Sequence, residues 1–160
     1  MEIQRLLGSD IQMQLDQCIQ FPHPQKEAAA AMQLSLRWAE RSRKAFLNVP
    51  QPGHGKFGIV QGGTDEKMRL ASAAGLRQIG FEGYAIGGLA VGEGQALMLS
   101  TLDFTTPALP ESYPRYLMGV GTPDDMLESV ARGVDLFDCF MPTRSVRHCQ
   151  SFPRFGNIHL

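Results

Sequence analysis

The side chains best suited to chemistry are two carboxylates and an amide, each at the end of a short apolar segment. Asp16 closes SDIQMQLD, Gln61 follows FGIV, and Asp138 closes VDLFD. Two carboxylates that face one pocket can divide glycosidic chemistry, because one can attack an anomeric carbon while another group handles the proton. A single aspartate at a strand end can instead cap a helix or form a loop salt bridge, so both interpretations stay open for each residue alone.

Glycines cluster at the same strand ends, in the pairs Gly62-Gly63 and Gly87-Gly88 and in the run 119–121. Glycine allows backbone N–H groups to approach a ligand closely, although each could equally be a turn residue. Arg144 and Arg147 follow the last apolar segment, on what we expect to be an exposed loop. Their spacing suits phosphate contacts, with a solvated loop as the alternative.

The elements that must position these residues alternate along the chain. Apolar strand patterns cover 9–16, 57–63, 83–89, 115–121 and 134–140, and helical patterns lie between them at 26–46, 65–80, near 95–102 and at 122–133. This alternation predicts a parallel sheet whose carboxyl ends meet at one ligand-binding edge. An open doubly wound sheet is the alternative, but contributions from five successive strands favour a barrel. Because eight units need about 250 residues, we predict an α/β fold with a partial (β/α)8 TIM-like barrel of about five βα units.

The composition sets limits on the function. The 160 residues include 15 basic and 16 acidic side chains, which excludes a generally basic nucleic-acid binder but not a local basic patch. No apolar run approaches the roughly 18 to 20 residues of a membrane span, and no charged-then-apolar leader opens the chain. Cys18, Cys139 and Cys149 form neither a zinc-ligand pattern nor a disulfide framework. We therefore expect a cytoplasmic protein without membrane contact and with no metal site of its own.

Four segments, in order, resemble signature segments of the tRNA-guanine transglycosylases, the queuine tRNA-ribosyltransferase family. They are GIVQGG at 58–63, GYAIGGLAVGE at 83–93, RYLMGVGTPDD at 115–125 and FDCFMPTRSVR at 137–147. The segment SDIQMQLDQC at 9–18 is similar to an earlier strand of the family, and the resemblance extends to about Phe152. Residues 151–160 follow the family's next strand only loosely. Val91 and Cys18 resemble the residues of bacterial members, which implies the smaller incoming base, 7-aminomethyl-7-deazaguanine.

The resemblance implies an enzyme of queuosine biosynthesis that exchanges guanine at the tRNA wobble position for this deazaguanine, through a covalent Asp–ribose intermediate. It makes Asp138 the nucleophile and Asp16 the carboxylate that binds the N1–H and exocyclic amine of the base. The other implied substrate-binding residues are Cys18, Gln61 and Gly88 (the last two reading O6), Met118 (an apolar wall), and Leu89 with Glu93 (the aminomethyl group). The implied RNA-binding residues are Gly119, Val120, Gly121, Thr122, Pro123, Asp124, Asp125, Thr143, Arg144, Ser145, Val146 and Arg147.

The family barrel also carries features that these residues lack. The resemblance places 1–160 in the central to C-terminal part of the barrel, without its N-terminal strands, its zinc-binding insertion and the aspartate that serves as general acid/base. No cofactor is expected on this chain, since the zinc ligands are absent. The implied partners are a tRNA with guanine at the wobble position, guanine and 7-deazaguanine bases, and a second copy, because members often form homodimers.

Three functions remain open from the sequence. The chain could belong to an active transglycosylase, or it could be a catalytically inactive truncated copy or interaction subunit of the same family. An unrelated barrel enzyme acting on a phosphorylated sugar shares the strand-end pattern but does not explain FDCFMPTR.

Overall fold

A five-stranded parallel sheet forms the centre of the molecule. The computed structural model describes residues 1–49, 51–151 and 158–159. The strands are β1 (Ile11–Met13), β2 (Gly55–Val60), β3 (Gly83–Ile86), β4 (Arg115–Leu117) and β5 (Leu136–Phe137). Their order in space is their order in sequence. A doubly wound sheet would reverse its strand order at a switch point, so the predicted partial (β/α)8 barrel is confirmed as a curled half-barrel.

Helices connect each strand to the next across the outside of the sheet. Helix α1 (Glu2–Leu6) precedes β1. The connections are α2 (Gln25–Leu47), α3 (Glu66–Ile79), α4 (Gln95–Thr105) with a 3-10 turn at Thr106–Ala108, and α5 (Pro123–Val130), and α6 (Met141–Val146) follows β5. The four predicted helices correspond to α2–α5. Helices α1 and α6 were not predicted, because five or six residues are too few for a helical period to show. None of the described helices is long and apolar enough to cross a membrane.

The chain ends in a small antiparallel pair of strands, β6 (Gln150–Ser151) and β7 (Ile158–His159). This is the region in which the sequence only loosely follows the family's next strand. Most of that stretch, residues 152–157 and 160, lies outside the described residues.

One apolar layer between the sheet and the helices holds the fold together. Val60, Ile86 and Leu117 on successive strands are completely buried there, against Leu76 of α3 and Leu102 of α4. Side chains alternate between the two faces of a strand, so Val60 on the helix side places Gln61 on the inner, concave side. The core thus fixes the direction of the first residue after β2.

The side chains on the inner face of the sheet are more exposed to solvent than the sequence predicts. Apolar strands predict burial on both faces, which β2 and β3 show, but Ile11 of β1 is 46% exposed and Leu136 of β5 is 38% exposed. These side chains line an inner cavity of about 320 Å³ with Met13, Phe57, Tyr116 and Phe137. Five strands do not close a barrel, so the inner side chains of the outer strands lack neighbours.

The first strand is shorter than its sequence pattern. We predicted a strand over 9–16 with Ile11, Met13 and Leu15 on one side, and the structure pairs only Ile11–Met13 with β2. Leu15 is 66% exposed. The alternation of apolar and polar residues continues beyond Met13, where β1 stops pairing with β2. The last residues before Asp16 therefore form a loop.

Candidate active site

The predicted site residues lie at one edge of the sheet. Asp16 follows β1, Gln61 follows β2, Gly88 follows β3, Met118 follows β4 and Asp138 follows β5. All neighbouring strands are parallel, so all five residues are at the carboxyl edge. An arrangement with Asp16 and Asp138 at opposite ends of the sheet is excluded.

Asp16 and Gln61 are in direct contact. The Gln61 amide Nε2 donates a 2.6 Å hydrogen bond to Asp16 Oδ2. Gln61 is 1% exposed, and its backbone N–H donates to the Ser72 hydroxyl of α3 at 3.1 Å. Asp16 is half-buried, and its other oxygen, Oδ1, accepts no hydrogen bond from the described residues. Gln61 therefore orients the carboxylate and leaves one oxygen for a ligand.

The glycine pair after β3 packs directly against this amide. A Cβ on Gly87 would lie 2.8 Å from Gln61 Nε2, and a Cβ on Gly88 would lie 2.4 Å from Gln61 Oε1. Gly88 also has a φ of +67°, in the left-handed region that favours glycine. Gly88 therefore requires glycine, and a side chain at Gly87 would displace the Gln61 amide. The backbone of this turn forms a wall of the site.

The loop after Gly88 is held by Glu93. Its carboxylate accepts hydrogen bonds from the backbone N–H groups of Ala90 and Val91, the latter at 2.9 Å. Leu89 is buried beneath this loop.

Cys18 lies beside the same loop. Its side chain is exposed, but the loop removes part of its hydration, and this effect together with the Asp16 carboxylate raises the pKa of the thiol. The Gly88 backbone and the Arg69 charge act in the opposite direction. The thiol is therefore a neutral neighbour of Asp16 and Gly88.

Asp138 is an exposed carboxylate with one anchored oxygen. Its Oδ1 accepts hydrogen bonds from the Tyr116 hydroxyl at 2.6 Å and from the Gly119 backbone N–H at 2.7 Å. Its Oδ2 accepts none from the part of the chain that the structure describes. Burial of Tyr116 and its bond to Asp138 raise the pKa of Tyr116, which keeps the phenol a neutral donor. These contacts fix the orientation of the Asp138 carboxylate and leave its second oxygen available to a ligand.

Tyr116 is a site residue that the sequence patterns above do not indicate. It lies in β4, two residues before Met118, and the two-residue period of an extended chain places both on the same side, so this period was the available signal. Met118 is half-buried and extends the β3–β4 ladder through its backbone N–H, which donates to Ile86 at 3.2 Å.

The segment 119–125 forms the turn from β4 into α5. Val120 is buried, and Gly121 packs against Cys139, where a Cβ would lie 2.2 Å from the Cys139 Cβ. Thr122 is the N-cap of α5, as predicted, and its hydroxyl accepts from the Asp125 N–H at 3.3 Å. Pro123 and Asp124 follow in the first turn and are exposed.

The segment that carries Arg144 and Arg147 has a different structure from the one predicted. Arg144 and Arg147 were expected on an exposed loop, but Arg144 lies in α6 and Arg147 is its C-cap. Both are exposed, as are Thr143 and Val146, whereas Ser145 is buried. Residues three apart lie on the same face of a helix, so both guanidinium groups can reach one phosphate-bearing surface.

Arg69, a buried cation behind the site, is the second residue that those patterns do not indicate. Arg69 of α3 has no exposed surface, and burial lowers its pKa to about 10, so it stays protonated at neutral pH. It shares a helical stripe with the buried Ser72, Ala73 and Leu76. An arginine on an otherwise buried stripe was therefore the available signal.

The described residues offer no metal site. They contain no group of three or more His, Cys, Asp or Glu side chains close enough to hold an ion. The zinc site that the resemblance implies for the family therefore has no complete ligand set among these residues.

A half-barrel of parallel strands with two carboxylates and a buried amide at its carboxyl edge places the chain among the α/β-barrel domains, whose ligand sites lie at that edge. The family model described as Queuine tRNA-ribosyltransferase matches residues 1–160. Proteins named queuine tRNA-ribosyltransferase from Agrobacterium fabrum and Rhizobium meliloti are each 60% identical over 159 residues, which is 99% of this chain and 42% of theirs. One from Cereibacter sphaeroides is 56% identical over 160 residues, all of this chain and 42% of its own.

The chain belongs to the queuine tRNA-ribosyltransferase family, which confirms the resemblance found in the sequence. It spans about 42% of the length of the curated relatives named above.

Proposed function

We propose that this chain supplies part of the active site of a tRNA-guanine transglycosylase, a pentosyltransferase of queuosine biosynthesis. The enzyme exchanges guanine at the tRNA wobble position for 7-aminomethyl-7-deazaguanine. The observation that supports this most directly is the pairing of a glutamine-oriented carboxylate, Asp16, with a second, exposed carboxylate, Asp138, on the same edge. A tRNA substrate fits a cytoplasmic location.

In this proposal, Asp16 selects the base. Guanine presents two adjacent donors, N1–H and the exocyclic amine, and a carboxylate accepts such a pair with charge-assisted hydrogen bonds. Asp16 has Oδ1 and the second lone pair of Oδ2 available for this purpose. The second Nε2 proton of Gln61, whose first is bound to Asp16, and the Gly88 N–H supply donors for O6. Met118 forms the apolar wall of the base pocket.

The loop after β3 then receives the substituent that distinguishes the incoming base. The Leu89 carbonyl and Glu93 are the proposed partners of the aminomethyl cation. Glu93 is already part of this loop, since it binds the N–H groups of Ala90 and Val91.

Asp138 carries the covalent step. Its free Oδ2 attacks the ribose C1′, the bond from C1′ to N9 of guanine breaks, and the electron pair leaves with the base, which takes up a proton. The incoming deazaguanine loses its N9 proton, attacks C1′ and releases Asp138. Two successive displacements retain the configuration at C1′. The resemblance assigns the proton transfers to an aspartate outside residues 1–160.

The tRNA backbone is bound beside Asp138. The exposed Arg144 and Arg147 lie on one face of α6, immediately after β5, and the 119–125 turn follows β4. Both segments are therefore at the edge that holds the nucleophile. Since the net charge is -1, affinity for RNA depends on such local contacts.

Trapping of the intermediate tests the proposal. The longer protein, in which residues 1–160 are joined to the remaining barrel strands and the general acid/base aspartate that the resemblance implies, is incubated with an unmodified substrate tRNA and analysed on a denaturing gel. We expect an adduct that resists denaturation. Asp138→Asn should abolish the adduct, because an amide oxygen is a poor nucleophile, and should leave the fold intact. Asp103→Asn is the matched control, since Asp103 is a carboxylate of the helix layer whose described partner is Arg132.

The result also separates the alternatives. Loss of the adduct only in Asp138→Asn supports the transglycosylase. No adduct with the longer protein, when Asp138 is unchanged, would favour a catalytically inactive interaction subunit of the same family. An adduct that survives Asp138→Asn would mean that another group is the nucleophile.

A further inference from the structure

Arg69 joins the two loops that form the proposed base pocket. Its Nε donates to the carbonyl of Gly63 at 2.6 Å, and its Nη1 donates to the carbonyls of Val60 at 3.2 Å and Gly87 at 2.7 Å. Its Nη2 donates to the Gly88 carbonyl at 3.3 Å. One side chain thus holds four backbone oxygens, two at the end of β2 and two at the end of β3.

The charge of Arg69 is not explained by the stability of α3. Arg69 lies near the N-terminus of that helix, where the helix dipole disfavours a cation. Among the described residues, no carboxylate lies within ion-pair distance of it. A buried cation without an ion-pair partner costs free energy, and such sites often serve a function.

The peptide between Gly87 and Gly88 transmits the effect of Arg69 to the site. A trans peptide directs its carbonyl oxygen and its N–H in opposite directions. Because the Gly87 oxygen points to Arg69, the Gly88 N–H points away from it, toward the side on which Cys18 lies. A hydrogen bond to the carbonyl also polarises the peptide and strengthens its N–H as a donor.

We propose that Arg69 is a positioning residue that aims and strengthens the Gly88 N–H as a donor to the carbonyl oxygen of a bound purine. This inference rests on the proposed function, because it takes guanine as the ligand. During base exchange the leaving guanine gains electron density, part of it on O6. A polarised donor at that oxygen stabilises the departing base more than the bound one.

Two bases that differ at one atom test this role. 6-Thioguanine keeps the N1–H and the exocyclic amine, but sulfur, a weaker acceptor, replaces O6. Dissociation constants for both are measured by calorimetry on the unmodified protein, on Arg69→Lys and on Arg77→Lys. Arg77 is an exposed arginine of the same helix and serves as the control.

We expect Arg69→Lys to weaken guanine binding about tenfold and 6-thioguanine binding at most about threefold, because lysine keeps the charge but cannot hold four carbonyls in place. Arg77→Lys should change neither. Arg69→Met would leave those carbonyls without donors and could unfold the protein, so the lysine variant carries the test, with circular dichroism to confirm its fold.

The binding measurements separate failure of this inference from failure of the proposed function. Equal weakening of both bases, no weakening, or loss of folding in Arg69→Lys would overturn the inference and leave Arg69 a structural residue. If the unmodified protein binds neither base, the proposed function itself fails.

Discussion

At the scale of single residues, Asp16 has one oxygen bound to Gln61 and the other free for a ligand. Asp16→Asn replaces a charged double acceptor with an amide that offers one acceptor and one donor. If the hydrogen bonds to guanine are buried, we expect affinity to fall by about 2 to 3 kcal/mol. Calorimetric titration with guanine measures the change.

The control for this variant is Asp10→Asn, an exposed aspartate just before β1 at the opposite edge. It should bind guanine as the unmodified protein does. Unchanged affinity in Asp16→Asn would assign Asp16 to the structure of the loop.

Lys56 is a second buried cation, at the amino edge of β2. Its side chain has no exposed surface, and burial, with Arg43 acting in the same direction, lowers its pKa to about 8 against the pull of Glu82. An unfolded lysine has a pKa of about 10.4. Between pH 8 and about 10.4 the unfolded state therefore binds more protons, and the free energy of unfolding should rise with pH across this window.

Lys56→Met should remove this dependence. Below pH 8 the variant no longer buries a cation, so we expect its free energy of unfolding to rise by about 2 kcal/mol at pH 7, with the gain disappearing near pH 10. Urea unfolding at both pH values measures it, with the exposed Lys26→Met as control. An equal gain at both pH values would show that packing, not charge, is responsible.

The residues that sequence alone identified share one property. Asp16, Gln61 and Asp138 are each marked by a local event, the end of an apolar run, and parallel strands bring such ends together. Tyr116 and Arg69 act through partners that are distant in sequence: Tyr116 on Asp138, and Arg69 on carbonyls of two different strands. Without the register between strands, these pairings could not be predicted.

At the scale of elements, the start of α5 was predictable because all its signals are adjacent. Thr122 accepts the Asp125 N–H, and Pro123 occupies the first turn. The ends of β1 and β5 were not predictable. A strand ends where its neighbour stops pairing with it, and the sequence of one segment does not contain that information. The segment with Arg144, predicted as a loop, is helix α6 for a related reason. Its six residues are too few to show a helical period in the sequence.

Removal of the α5 cap should destabilise the protein. Thr122→Ala leaves the Asp125 N–H without its acceptor, and loss of an N-cap costs about 1 kcal/mol. Thermal unfolding should show a melting temperature lower by about 2 to 4 °C. Thr122→Ser keeps the hydroxyl and should melt close to the unmodified protein. Equal losses in both variants would mean that the methyl group, and not the cap, stabilises this turn.

At the scale of the whole molecule, the described sheet is open. β1 and β5 are each paired on one side only, and the inner cavity is lined by apolar side chains. Ile3, Leu6 and Leu7 near the start of the chain are each more than 70% exposed. Open edges and apolar surface favour association, so we expect the 160-residue chain on its own to form dimers or larger assemblies. Light scattering during size-exclusion chromatography at several concentrations measures this.

The same chain should not exchange guanine on its own, because the proposed proton-transfer aspartate lies outside residues 1–160. Loss of such a group lowers rates by about 10² to 10⁴-fold, and the exposed arginines of α6 alone give few phosphate contacts. Incubation with labelled guanine and an unmodified substrate tRNA measures exchange directly, with an intact relative of the family as the positive control. Robust exchange by a monodisperse monomer would show that the half-barrel holds every group the reaction needs, and the proton transfers would then belong to a residue within this chain.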